Sequence, residues 1–181
     1  MGQERIRLGQ DASFYNCALS ADGRWVAAAA LPQTFVRVWE VDHTNISHDL
    51  QCSWVSTLGF SPDGQRLATG SAYEYQVWET HSWLCKFRAT RPGIAYNPRI
   101  AFSPDGRMLA VTHSCFTVRL METVTGQELA TFGMPEPQVI SCLAFSPDGS
   151  QLAVGGQTPV IYLWNLRLIR QELAEMKLDW E

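Results

Sequence analysis

The side chains best suited to chemistry in this 181-residue chain are imidazoles, carboxylates, thiols and hydroxyls at a few marked places. His43 and His48 lie five apart with Asp42 and Asp49 beside them. Such ligand types hold zinc when three or four converge. No motif supplies the remaining ligands, and the segment reads as a polar loop between strands, so no metal site is expected. Asp63, Asp105 and Asp148 could work as general acids or bases, but they recur at equivalent places of a repeated tetrapeptide. Catalytic residues break a repeat's symmetry, so these carboxylates read as turn residues. The five cysteines, Cys17, Cys52, Cys85, Cys115 and Cys142, are odd in number, dispersed, and form no Cys-x-x-Cys pair. They read as small buried apolar residues in a reducing compartment, neither a zinc knot nor a disulfide framework. Ser71, Ser114 and Ser141 sit in no nucleophile elbow, and Gly155-Gly156 is no phosphate loop. No catalytic residue, metal or cofactor is expected.

The elements that position these residues are set by an internal repeat. Ser61-Pro62-Asp63-Gly64 returns as Ser103-Pro104-Asp105-Gly106 and Ser146-Pro147-Asp148-Gly149, with a fainter copy at Ser20-Ala21-Asp22-Gly23, at spacings of 41, 42 and 43 residues. Before each turn stands a large-small-large triplet: Cys17-Ala18-Leu19, Leu58-Gly59-Phe60, Ile100-Ala101-Phe102 and Leu143-Ala144-Phe145. After each comes Val26-Ala27-Ala28, Leu67-Ala68-Thr69, Leu109-Ala110-Val111 or Leu152-Ala153-Val154. Period-two alternation marks strands, and Ser-Pro-Asp-Gly is the composition of a tight type I turn, so each copy reads as a hairpin with Phe60, Phe102 and Phe145 buried. Third strands follow at 35–40, 75–79, 117–122 and 160–165, and a more variable fourth strand can be drawn through Ser47 to Cys52, Trp83 to Arg88 and Glu128 to Phe132.

Four antiparallel strands recurring at about 42 residues are the signature of a WD-type propeller blade, so all four units are expected to form equivalent four-stranded sheets around a common axis. On Phe-Ser-Pro-Asp-Gly, Leu-Ala and the Val-Trp-Glu strand end, the chain resembles the WD-repeat family over nearly its whole length. The resemblance implies an all-β fold of four blades over residues 1–165, as part of an incomplete propeller or as a small closed ring, and a non-catalytic scaffold that binds other proteins or peptides. The family's blades often share a hydrogen-bonded His, Ser or Thr, Asp and Trp network. Here Gly-His and Trp-Asp pairs are missing, and Gln33, Ala72, Cys115 and Thr158 occupy the places of the network Asp. Apolar packing is expected to hold these blades instead.

The family's propellers usually close with seven blades. An open arc exposing on the order of 400 Å² of apolar surface at each end would lose about 10 kcal/mol per end at ~25 cal/mol/Å². That rivals a domain's whole stability of about 5–15 kcal/mol, so self-association or a longer propeller is expected. Arg5-Ile6-Arg7-Leu8 has the look of an outermost fourth strand, either of a blade upstream or of the last blade in a closed ring. From Leu166 the apolar spacing becomes helical through Ile169, Leu173 and Met176, giving a short C-terminal amphipathic helix in a tail of residues 166–181. That tail is similar to the end of bacterial WD-repeat proteins often fused to serine/threonine kinase domains, and the alternative function is therefore a C-terminal piece of a larger bacterial signalling protein.

A formal charge of −4 with no Lys/Arg cluster argues against nucleic acid. The longest apolar runs are strand-sized, and the first eight residues hold no secretion signal, so no membrane partner and a cytoplasmic address are expected. Function is left to the loops. The connections between second and third strands share no pattern and contribute Gln33, Tyr73, Glu74, His113 and Gln157 as candidate interaction residues. The long connection through residues 90–98 adds Arg91, Ile94 and Tyr96, whose types are enriched at interfaces.

Overall fold

The computed structural model describes residues 6–9, 12–31, 34–92 and 98–176. Among these residues fifteen strands and one helix follow one another in a meander. Blade 1 comprises β1 (Ser13–Leu19), β2 (Trp25–Leu31), β3 (Phe35–Glu40) and β4 (His43–Gln51). Blade 2 comprises β5 (Val55–Phe60), β6 (Arg66–Ser71), β7 (Glu74–Glu79) and β8 (Cys85–Thr90). Blade 3 holds β9 (Ile100–Phe102), β10 (Met108–Thr112), β11 (Thr117–Glu122) and β12 (Glu128–Gly133). Blade 4 holds β13 (Ile140–Phe145), β14 (Gln151–Gly156) and β15 (Ile161–Asn165), followed by α1 (Leu166–Glu175). Every sheet is antiparallel with sequential strand order.

The hairpin between first and second strands is the same object four times. The Gly amide of each turn donates to the Ser carbonyl at 2.9 Å. The hydroxyls of Ser20, Ser61, Ser103 and Ser146 donate to the Asp carboxylate two residues on at 2.5–2.6 Å. Each hydroxyl also accepts from the amide five residues on at 2.8–3.0 Å. The closing glycines sit at φ +67° to +74°, a backbone region that L residues avoid.

Blades pack in chain order, and the core lies in the seams. Leu58, Leu67 and Trp78 of blade 2 pack on Val36, Val38 and Leu50 of blade 1. Leu109, Val111 and Met121 of blade 3 pack on Tyr75, Val77 and Ala89 of blade 2. Leu152 and Val154 of blade 4 pack on Ala110, Val118 and Leu120 of blade 3, with Leu166, Ile169 and Leu173 of α1 closing the same cluster. Large residues before and after each hairpin thus face the preceding blade, and small ones together with alternate third-strand residues face the following one.

Four expectations need correction. Of the five cysteines only Cys52 is buried, Cys85 and Cys115 being half-buried and Cys17 and Cys142 exposed. Blade 4 has three strands, because Asn165 caps α1 through a 3.0 Å bond from the Leu168 amide and the chain turns helical where a fourth strand would start. Residues 6–8 form no strand and add none to blade 4, while Arg5 lies outside the described residues. Phe60, Phe102 and Phe145 are half-buried, each lining a seam from its rim.

Polar ties replace the missing network. Asn16 Nδ2 donates to the Ser56 carbonyl across the first seam at 3.1 Å. The Tyr75 hydroxyl donates to the Thr112 carbonyl across the second at 2.8 Å. Arg99 Nε donates to the Ser141 carbonyl across the third. Within blade 2, Trp78 Nε1 donates to Thr69 Oγ1 at 3.1 Å.

Candidate interaction face

Antiparallel meanders sort connections onto two ends. The Ser-Pro-Asp-Gly hairpins and the turns between third and fourth strands share one end. The connections between second and third strands share the other with the links between blades, and the loop candidates among the described residues, Tyr73, Glu74, Arg91, His113 and Gln157, lie on that second end.

Tyr73 and Glu74 stand on a turn organised by buried Ser71, whose hydroxyl accepts from both amides at 3.2 and 3.0 Å and donates to the Glu74 carbonyl at 3.1 Å. The Tyr73 ring points outward while the Glu74 carboxylate lies 3.7 Å from Arg88. His113 is half-buried with Nε2 3.0 Å from Arg119 Nη2, and burial, together with that guanidinium, lowers its pKa. Gln157 is exposed, beside a turn held by Gln138 Oε1, which accepts from the Thr158 amide at 3.2 Å. Gln33, Ile94 and Tyr96 lie outside the described residues.

Arg91 departs from expectation. Its side chain is buried, with Nη1 donating to the Ser71 carbonyl at 2.8 Å and the guanidinium 5.3 Å from the centre of the Tyr75 ring. Burial lowers its pKa and raises that of Tyr75. Arg91 therefore locks the blade 2–blade 3 junction beneath the face instead of projecting from it.

Two aromatic residues that sequence reasoning passed over belong to this end. Trp54, in the link between β4 and β5, is 67% exposed, and Phe116, in the link between β10 and β11, is 46% exposed, alongside Tyr73 at 57%. The available signal was position: both fall outside the aligned strand columns, where an aromatic side chain has no seam to fill. The Phe116 amide is held by Ser114 Oγ at 3.2 Å, and that hydroxyl pairs with Thr117 Oγ1 at 2.7 Å.

The opposite end offers a cleft of about 280 Å³ at the blade 1–blade 2 seam, lined by Asp22, Arg24, Asp63, His81 and the Trp25–Trp83 pair. His48 stacks 5.7 Å from Trp83, whereas His43 pairs with Glu40 at 3.5 Å, so the two imidazoles serve different neighbours. No group of three or more His, Cys, Asp or Glu side chains suited to a metal ion occurs among the described residues. No helix among the described residues is long and apolar enough to cross a membrane.

Comparison with known proteins agrees with this architecture. A family model described as WD domain, G-beta repeat matches residues 42–74 and 126–165. The chain is 28% identical to periodic tryptophan protein 2 homolog of Dictyostelium discoideum over 83% of its own length and 17% of the relative's. It is 28% identical to human apoptotic protease-activating factor 1 over 97% of its length and 14% of that protein's. It is 27% identical to meiotic recombination protein rec14 of Schizosaccharomyces pombe over 90% of its length and 55% of that protein's. The chain thus spans less than a fifth of the first two relatives. These relatives are eukaryotic, and the tail's likeness to bacterial kinase-fusion proteins finds no support in them. The four sheets are WD-type blades.

Proposed function

We propose that these blades form a non-catalytic platform that binds other proteins, acting in the cytoplasm through the end that carries Trp54, Tyr73 and Phe116. The observation that supports it is the set of exposed aromatic side chains on loops of successive blades, above a backbone held by buried Ser71, Arg91 and Thr112. Rigid aromatic anchors supply large contact area at low entropic cost, and they dominate protein interfaces. WD-type blades and the similarity to large WD-repeat proteins point the same way. The small share of those relatives that the chain spans also favours work as one module within a larger assembly. The net charge and the lack of a basic cluster speak against a nucleic-acid partner.

The test is proximity labelling to identify a partner, then calorimetry with the purified pair. Trp54→Ala, Tyr73→Ala and Phe116→Ala are expected to weaken binding, with at least one losing about 30-fold or more as a hot spot would. Leu84→Ser, on the hairpin end, is expected to change nothing. The reverse pattern would refute the choice of face.

A further inference from the structure

The two ends of the arc are complementary halves of one junction. In the three internal seams the trailing face of one blade presents alternate third-strand residues to the next: Val36 and Val38, Tyr75 and Val77, Val118 and Leu120. All six are at most 1% exposed. Their counterparts in blade 4 are Ile161 and Leu163, which are 69% and 64% exposed, next to exposed Cys142 and Ala144. The leading face repeats the same contrast. Leu67, Leu109 and Leu152 are fully buried against a preceding blade, whereas Val26 at that position of blade 1 is half-buried, Leu19 is 61% exposed and Cys17 is exposed. Gly9 lies over the outer part of this face, against Phe14 and Trp39, and leaves Cys17 and Leu19 open. The first strand of a following blade makes the main contact with its predecessor in every internal seam. None of the residues named on either open face is charged.

We propose that a second copy of this chain docks head to tail, the trailing face of blade 4 on the leading face of blade 1, at both ends. Two arcs joined in this way make a ring of eight blades, within the four to eight typical of propellers. Each new junction repeats an apolar arrangement already formed three times within the chain. A heterologous contact of this kind either closes into a ring or runs on as a filament, and closure at two copies satisfies both faces of each.

Sedimentation of the full chain at micromolar concentration tests the proposal. The expected species is a discrete dimer, twice the 20.3 kDa of one chain. Leu163→Asp and Leu19→Asp each place an unpaired carboxylate inside the junction, and either should weaken association by roughly a hundredfold. Both side chains are mostly exposed in the single chain, so each variant should keep the thermal melt of an isolated chain. Mixing the two variants leaves one of the two junctions intact and should restore a dimer at high concentration. Cys17 and Cys142, one on each face, should become protected from maleimide as the wild-type dimer forms. A compact wild-type monomer, a Leu19→Asp variant that still dimerises, a mixture that stays monomeric, or a ladder of larger species would each overturn the proposal.

Discussion

Trp83 shows how single residues settle the seams. It is the one described non-glycine residue with φ in the left-handed region, at +55°, and it occupies the turn position that Gly126 holds one blade later at +75°. A Cβ at Gly126 would lie 2.6 Å from the ring of Phe87, which fills the second seam from blade 2. In the first seam the exchange is reversed. His48, the counterpart of Phe87, is smaller, and Trp83 fills the space, edge-on to Trp25 at 5.0 Å. Trp83→Gly should therefore destabilise by about 3 kcal/mol despite relieving the backbone, since a buried Trp leaves a large cavity. Adding His48→Phe should recover about 1–2 kcal/mol in a double-mutant cycle read from urea melts. Glycines offer a parallel contrast. Gly106→Ala meets only ordinary contacts, its nearest atom being 3.7 Å away, so its cost of about 1 kcal/mol is conformational. Gly70→Ala would set a methyl 2.6 Å from Thr57 and Tyr75 and should cost more in the same melts. The turn carboxylates add a pH dependence. The Ser20 hydroxyl holds the pKa of Asp22 below its ordinary value, and the hydroxyls of Ser146 and Ser150 do the same for Asp148. Folded values below unfolded ones mean stability that is present above about pH 4 and lost as pH falls further. Ser20→Ala with Ser146→Ala should flatten the thermal midpoint between about pH 4 and about pH 2. The turns were legible because Ser, Asp and Gly act within four residues. Burial of Arg91 was not, because its partners Ser71 and Thr112 lie 20 and 21 residues away in sequence.

At the scale of elements, the hairpin and third-strand boundaries followed from period-two alternation nearly to the residue. Of the fourth strands β12 followed too, but two did not: β4 begins at His43 and not Ser47, and β8 begins at Cys85, because Trp83 lies in the turn. Outer strands have one paired edge and little burial, so alternation there carries less information. The family's repeat frame clarifies blade 4. The matched segment 126–165 runs from β12 of blade 3 through β15, so a repeat contributes its first strand to the preceding blade. Blade 4 ends its repeat without a strand from another, and α1 shields the blade 3–blade 4 seam through Leu166, Ile169 and Leu173. Asn165→Ala removes the cap of α1 and should cost about 1 kcal/mol. Leu173→Asp should cost more by opening that seam, and the two losses can be compared in one denaturant series. Phe102→Ala, at a half-buried rim, should cost about 2 kcal/mol, below the 3–5 kcal/mol of a fully enclosed ring.

Across the whole molecule, blades touch neighbours in chain order, so stability is shared out seam by seam, as in other repeat architectures. Blade count and blade order were legible because each repeat announces itself. Which loops carry a binding surface was not, since exposure of Trp54 and Phe116 depends on how the connections leave the sheets. The seams also differ in kind. Asn16, Tyr75 and Arg99 tie the three in turn to backbone carbonyls, and the first adds the Trp25–Trp83 pair. Two indoles edge to face at 5.0 Å couple their excited states and give an exciton couplet in far-ultraviolet circular dichroism. No other pair of tryptophans among the described residues stacks in this way. The first seam therefore carries its own optical signature: when blade 1 parts from blade 2 the couplet should vanish, while the strand signal of blades 2 to 4 persists.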